Sequence, residues 1–243
     1  MKVVATREEL AVARKELTGR VAVVMTMGAL HEGHVTLVRE ARQIADSVIV
    51  TIFVNPLQFG VGEDLDKYPR TLEQDLALLD GLADVVFTPT PDVVYPRAPV
   101  VRVSAGSIGT VFEGASRPGH FDGVLTVVLK LMNLTLPDVA LFGQKDAQQV
   151  VVLKRMVRDM SFRHEIVVVP IVREADGLAM SSRNVYLSPK ERQSALILSR
   201  TLFMAKELYE KGERNAREIR SLMRALLESE PTVKPAYITV ADP

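Results

Sequence analysis

Val21-Ala-Val-Val-Met-Thr-Met-Gly-Ala-Leu-His-Glu-Gly-His34 is the stretch that decides the fold. Val21 to Thr26 is almost continuously apolar, as central strands of a parallel sheet tend to be. Gly28 and Gly33 punctuate a turn that holds two of the chain's four histidines, His31 and His34. From His34 onward, Val35, Leu37, Val38, Ala41, Ile44 and Ala45 recur at roughly the helical period. A strand, a glycine turn and a helix start together predict an anion site. Unpaired N–H groups of the first helical turn would point at the ligand, and the helix dipole would favour its negative charge.

The same alternation runs outward from this stretch. Residues 7 to 17 read as a short amphipathic helix. Ser47 to Val54 reads as a buried strand ending in Asn55-Pro56-Leu57-Gln58-Phe59-Gly60. Thr71 to about Leu82 reads as a helix, with Thr71 and Gln74 fitting a capping box. Asp84 to Thr88 is a short strand, Pro89 to Pro99 a loop, and Val100 to Ser104 a candidate strand outside the main sheet. Phe121 to Leu134 predicts a buried helix, Asp138 to Phe142 a strand, and Ala147 to Met160 a helix. Glu165 to Val172 is expected to be a final long buried strand. Strands alternating with helices predict an α/β fold with a parallel sheet and right-handed crossovers. Ligands then bind beyond the carboxyl ends of the strands, which is where the His31/His34 turn, Asn55/Gln58 and Gln144/Lys145 all fall.

The pattern changes after Val172. Arg173 to Asn184 is a polar loop with a turn at Asp176-Gly177. Two amphipathic helices follow, about Pro189 to Gly212 and Ala216 to Glu228, and then a strand-like segment, Ala236 to Val240. The expected division is 1–172 for the sheet domain and 173–243 for a smaller C-terminal α+β domain.

Composition narrows the function classes. The 243 residues are 47% hydrophobic and 25% charged, the balance of an ordinary globular protein. Lys+Arg and Asp+Glu are both 30, so a basic nucleic-acid-binding surface is not expected overall. With no cysteine, disulfides, thiolate metal sites and cysteine nucleophiles are excluded. No apolar run approaches a membrane span, and the N-terminus lacks a signal-peptide core. Cytoplasmic residence and small-molecule partners are the expectation, with no nucleic acid and no membrane.

Each polar motif has a plain and a functional reading. A lone histidine would most often be an incidental cap, but a glycine-flanked pair after a strand favours phosphate contact. A zinc pair would need a third ligand, for which neither His120 nor His164 is obviously placed. Lys145, between Gly143 and Asp146, could neutralise polyphosphate charge. Of Gln148 and Gln149, one should face inward and find a polar partner. Met180-Ser181-Ser182-Arg183 is either a loop before a capped helix or a segment closing hydroxyls and a guanidinium over phosphates. Arg117-Pro-Gly-His-Phe-Asp-Gly123 is either a second binding loop or an interface turn.

The His-x-Gly-His turn resembles that of the Rossmann-like nucleotidyl-transferring and adenylate-forming superfamily. Four segments narrow it: Thr26 to His34, Phe53 to Gly60, Phe142 to Gln149 and Met180 to Asn184. In that order they resemble the pantoate–β-alanine ligase family, from about Val3 to the end of the chain. The resemblance implies a Rossmann-like parallel sheet with a smaller C-terminal α+β lid domain. It also implies ATP-dependent joining of (R)-pantoate to β-alanine through pantoyl adenylate. Met27, Gly28, Ala29, Leu30, His31, Glu32, Gly33 and His34 would form the first ATP segment. Gly143, Gln144, Lys145 and Asp146 would hold ATP together with Met180, Ser181, Ser182 and Arg183, and Val172 would flank the adenine. His34, His31, Lys145, Ser181, Ser182 and Arg183 would be the catalytic set around the phosphates. Gln58 and Gln149 would contact pantoate, with Asn55 nearby. Magnesium would ride on the ATP phosphates, with Asp75 near it. A homodimer is implied, as is a C-terminal domain that continues past residue 243. A nucleotidyltransferase needing no amine, or a nucleotide sensor without turnover, would use the same ATP site; a tRNA ligase is disfavoured by charge and size.

Overall fold

β1 (Lys2–Val4), β2 (Val21–Thr26), β3 (Ser47–Ile52), β4 (Val85–Phe87), β5 (Val139–Gly143) and β6 (Glu165–Val169) form one sheet in the order β1-β4-β3-β2-β5-β6. Every neighbouring pair is parallel. The computed structural model describes residues 1–241. Between the strands lie α1 (Arg7–Glu16), α2 (Glu32–Ile44), α3 (Leu72–Leu79), α4 (Pro91–Val94), α5 (Glu113–Ser116), α6 (His120–Thr135) and α7 (Ala147–Asp159). The chain leaves β2 for β3 on one side, and β5 later joins β2 on the other. β2 and β5 therefore flank the point where strand order reverses. At such a point the loops splay apart and leave a crevice beyond the strand ends.

Side-chain alternation along the strands makes two cores. Val21 and Val23 of β2, Ile49 of β3 and Ala140 and Phe142 of β5 pack with buried residues of α1, α6 and α7. Ala22 and Val24, Val48 and Val50, and Val139 and Leu141 face the other way, against Leu37, Val38 and Ala41 of α2 and Leu79 of α3. Because the strand period is two, a continuous apolar run is what a sheet covered on both faces requires. That is why Val21 to Val24 carries no polar residue.

Some expectations need correction. Thr71 does precede α3, but its side chain makes no cap bond. Its hydroxyl donates instead to Asp75 Oδ1, 2.9 Å away. Val100 to Ser104 is not a strand. Val100 and Val101 are exposed, and nearby amides are satisfied by α6 side chains: Val103 N–H by Thr126 Oγ1 and Ala105 N–H by Asp122 Oδ1. β6 stops at Val169, and only that residue is buried, because β6 is a sheet edge with one neighbour. α2 begins two residues earlier than its apolar pattern suggests, since His31 caps it. The edge strand β1 has too short an apolar run to have been read.

Two compact units divide the chain, Met1–Ile171 and a second beginning at Val172. In the second, α8 (Pro189–Glu210) and α9 (Ala216–Glu228) pack on each other. Ser188 and Glu191 form a reciprocal capping box at the start of α8. Ile219, Met223 and Leu227, one turn apart, are the buried stripe of α9. Ala236 to Val240 is not a strand: it has no strand pairing and is only partly covered, because no neighbouring strand among the described residues of this unit offers it a ladder.

Candidate active site

The turn after β2 is closed on itself. His31 is the N-cap of α2, and its Nδ1 accepts the Gly33 N–H at 3.1 Å. His34 Nδ1 accepts the His31 N–H at 3.3 Å. Two imidazoles thus build a reciprocal cap of the kind Ser and Glu usually make. With its Nδ1 accepting, the proton of the neutral His34 ring belongs on Nε2. The ring centroids are 4.0 Å apart. Burial drives the His34 pKa down to about 3, and the charges of His31 and Lys145 push the same way. His34 is consequently a neutral N–H donor at physiological pH.

Asp75 secures the same turn from α3. It is 1% exposed. Its Oδ2 accepts the Ala29 N–H at 3.0 Å and its Oδ1 the Leu30 N–H at 2.8 Å. Thr71 supplies a third bond. Ala29 stands at φ +46°, a left-handed conformation that L side chains adopt at some cost. Gly28, at φ +86°, leaves no room for a side chain: a Cβ there would meet Asp75 Oδ2 and the Ile52 side chain, each at 3.0 Å. The expected nest of unpaired amides is therefore not what the turn offers. Gly28 N–H is on Thr26 Oγ1, Ala29 and Leu30 are on Asp75, and His31 and Gly33 are on the imidazoles. His34 N–H bonds the His31 carbonyl. Donors for an anion come from ring nitrogens, not from these amides.

Across the switch point, β5 runs through Gly143 into a 3-10 turn, Gln144–Asp146, which carries Lys145. The Lys145 side chain is 42% exposed and pairs with Asp146 Oδ1 at 3.3 Å. Its charge is one of the causes that lower the His34 pKa. The adjacent glutamines separate cleanly. Gln148 is spent on structure: Nε2 donates to the Ile108 and Val111 carbonyls, and Oε1 accepts the Glu113 N–H. The side chain of half-buried Gln149 makes no hydrogen bond to any described residue.

Beyond β3, the 3-10 turn Pro56–Gln58 carries the third set. Asn55 is 1% exposed and fully satisfied. Its Nδ2 donates to Gln58 Oε1 and the Gly123 carbonyl, and its Oδ1 accepts from Leu57 N–H and Tyr95 Oη. A direct substrate contact would require one of these bonds to break, so Asn55 holds the turn rather than facing a ligand. Gln58 Nε2 donates to Met27 Sδ at 3.1 Å, tying this turn to the first. Tyr95, Glu63, Arg117 and His120, which all support Gln58, were not legible as a group. Apart from Arg117 and His120 they lie far apart in sequence, and only the Arg117-to-Gly123 loop gave any local signal.

The second unit holds the remaining candidates. Met180 N–H bonds the Val172 carbonyl at 3.0 Å, and Arg173 and Ala179 form a bridge around the Gly177 turn. Ser181 caps a 3-10 turn, Ser182–Tyr186, by accepting the Arg183 N–H. Asn184 braces this segment against Glu174 and the Ala179 carbonyl. Ser181, Ser182 and Arg183 are all half-buried within their unit.

A family profile described as pantoate-beta-alanine ligase matches residues 2–243. The chain belongs to the pantoate–β-alanine ligase family. It is 54% identical to a "Pantothenate synthetase" of Roseiflexus castenholzii over 243 residues, covering 100% of this chain and 87% of that one. It is 52% identical to one of Thermoanaerobacter sp., covering 96% and 83%. A crystal structure of pantothenate synthetase from Thermus thermophilus superposes with a TM-score of 0.92 at 46% identity, covering 98% of this chain and 86% of that one. A Francisella tularensis pantoate-β-alanine ligase, described as complexed with β-γ ATP and β-alanine, superposes at 0.80 and 36% identity, covering 93% and 86%. In this pantoate–β-alanine ligase family member, polar turns directly follow β2, β3 and β5.

Proposed function

We propose that the chain condenses (R)-pantoate with β-alanine to give pantothenate, through pantoyl adenylate, with ATP cleaved to AMP and pyrophosphate. The observation that carries this reading is the placement of the His31/His34 turn, the Asn55-to-Gln58 turn and Lys145 directly after β2, β3 and β5, beside the strand-order switch. A carboxylate is a poor acyl donor because oxide would have to leave. Attack of the pantoate oxygen on the α-phosphorus forms the mixed anhydride and expels pyrophosphate. The β-alanine amine then attacks the acyl carbon, AMP departs with the C–O electron pair, and the amine loses a proton.

The chain's task is positioning and charge stabilisation. His34, with His31 beside it, donates Nε2–H to phosphoryl oxygen; its neutrality makes it a hydrogen-bond donor rather than a source of protons. Lys145 offsets the charge that accumulates as the phosphorus is attacked. Gln58 and Gln149 orient pantoate through their carboxamides, and Asn55 holds Gln58. Met27 to His34 and Gly143 to Asp146 line the ATP. Val172 would flank the adenine, and Met180, Ser181, Ser182 and Arg183 would serve the ATP, the last three at its phosphates. Magnesium is proposed to travel with ATP. Among the described residues no group of three His, Asp or Glu side chains could hold a metal ion, and Asp75, expected near it, is engaged by three donors. The ion would be held mainly by phosphates. None of the described helices is long and apolar enough to cross a membrane, and we place the enzyme in the cytoplasm as a homodimer.

Incubation of the protein with ATP and pantoate, with and without β-alanine, tests the reading. Pyrophosphate and AMP with an amide product only when the amine is present are expected. ADP in place of AMP would overturn it. Sedimentation of the purified chain checks the dimer, which a monomer at micromolar concentration would contradict.

A further inference from the structure

Gln58 sits on a single 3-10 turn, a short element with little rigidity of its own. Its backbone is gripped from the segment Arg117–Gly123. The Gln58 carbonyl accepts His120 Nδ1 at 2.8 Å and Arg117 Nη2 at 3.3 Å. Arg117 Nη1 lies 3.2 Å from His120 Nε2. The same guanidinium makes a two-pronged pair with Glu63, Nε to Oε1 at 2.9 Å and Nη2 to Oε2, with Glu113 3.8 Å away. Partner chemistry fixes the tautomer. A carbonyl only accepts, so Nδ1 of His120 carries the proton; a guanidinium only donates, so Nε2 presents its lone pair. A neutral imidazole satisfies both, and burial lowers the His120 pKa in agreement.

Gly123 completes the contact. A Cβ at this position would fall 2.1 Å from the Leu57 carbonyl oxygen and 2.8 Å from Gln58 Cα. The start of α6 can press against the turn only because residue 123 has no side chain. Its own carbonyl accepts Asn55 Nδ2. Gln58 is thus held on one side by Asn55 and Tyr95, and on the other by a charged clasp whose parts do not need to reach a ligand.

We propose that Arg117, Glu63 and His120 are positioning residues for the hydroxy-acid substrate, acting through Gln58. The inference rests on the reading that the Gln58 carboxamide contacts pantoate. A carboxamide must be held within about 0.5 Å to select a substrate geometry, and a lone 3-10 turn does not supply that restraint. The clasp supplies it at the backbone, leaving the side chain facing Met27 and Asn55.

The test is a set of steady-state constants and melting temperatures for wild type, Gln58→Ala, His120→Phe, His120→Asn, Arg117→Ala, and His120→Phe combined with Gln58→Ala. His120→Phe removes the donor to the Gln58 carbonyl and should raise the pantoate KM about tenfold, with the ATP KM within about twofold. Arg117→Ala should act in the same direction. His120→Asn keeps an N–H near the Nδ1 position and should stay within about twofold of wild type. In the Gln58→Ala background, His120→Phe should add nothing, because its route to the substrate is gone. An additive effect in that background, or an unchanged pantoate KM in a folded His120→Phe protein, overturns the inference. If Gln58→Ala raises the pantoate KM and the clasp variants do not, the clasp alone fails. If Gln58→Ala leaves it unchanged, the reading of Gln58 fails and the clasp with it. Should Arg117→Ala not fold, the contrast between His120→Phe and His120→Asn decides.

Discussion

The imidazoles of His31 and His34 face each other 4.0 Å apart, and each gives its Nδ1 to a backbone N–H of the turn that carries them. This makes His34 a folding group as well as the proposed hydrogen-bond donor to phosphate. Its pKa is about 3 folded and near 6.5 when exposed. Below pH 6.5 the unfolded chain binds a proton that the folded one refuses, so the stability from this site is complete above 6.5 and declines as the pH falls. Between pH 6.5 and about 5.5 the loss is about 1 kcal/mol. His34→Asn retains a side-chain acceptor for the His31 N–H but does not titrate. Urea midpoints at the two pH values should fall further for wild type than for the variant; parallel declines would refute the neutral His34.

Asp75 is expected to matter to the fold before it matters to ATP. Asp75→Ala removes the acceptor of the part-buried Ala29 and the buried Leu30 amides and should cost about 1–3 kcal/mol. Asp75→Asn keeps one acceptor and should cost less. Denaturant melts combined with ATP titration check both, with ATP affinity falling in the same order. An Asp75→Ala protein as stable as wild type would remove Asp75 from this role.

Gln148 and Gln149 should show opposite profiles. Gln148→Ala loses three bonds that hold the Ile108-to-Glu113 segment and should destabilise by about 1–3 kcal/mol, with the pantoate KM little changed. Gln149→Ala should stay within about 0.5 kcal/mol of wild-type stability while the pantoate KM rises. Thermal melts and steady-state kinetics on the same preparations separate them, and a reversed pattern would exchange their assignments.

Lys145 is exposed and its pair with Asp146 contributes little to stability. Lys145→Ala should melt within about 0.5 kcal/mol of wild type yet slow single-turnover adenylate formation about a hundredfold or more, with a smaller loss of ATP affinity. Adenylate formation at the wild-type rate would show that Lys145 does not stabilise the transferring phosphate.

Local pattern was enough for the central sheet. β2 is bounded as its apolar run predicts, and the three polar turns fall at strand ends because a parallel sheet leaves them nowhere else. What could not be read is who satisfies whom. Val100 to Ser104 has the β-branched content of a strand, but the Val103 amide is taken by Thr126 and that of the following Ala105 by Asp122. Thr71 looked like one half of a capping box, and instead helps a carboxylate that secures a turn 45 residues away from it in sequence. Gln148 and Gln149 are the same residue type one position apart, and only the path of the Ile108-to-Glu113 segment chooses between them. The Gln58 clasp joins residues separated by 59 and 62 positions, beyond the reach of any local signal.

The helix start built from His31 and His34 has an evolutionary consequence. A Ser–Glu cap could change freely without touching chemistry, but here the imidazoles assigned to the phosphates are also what begins α2. A drifted copy that loses either ring becomes a less securely folded chain at the same moment. Cellular proteases that sample partly opened molecules would therefore clear it, instead of leaving an inert, long-lived protein in its place.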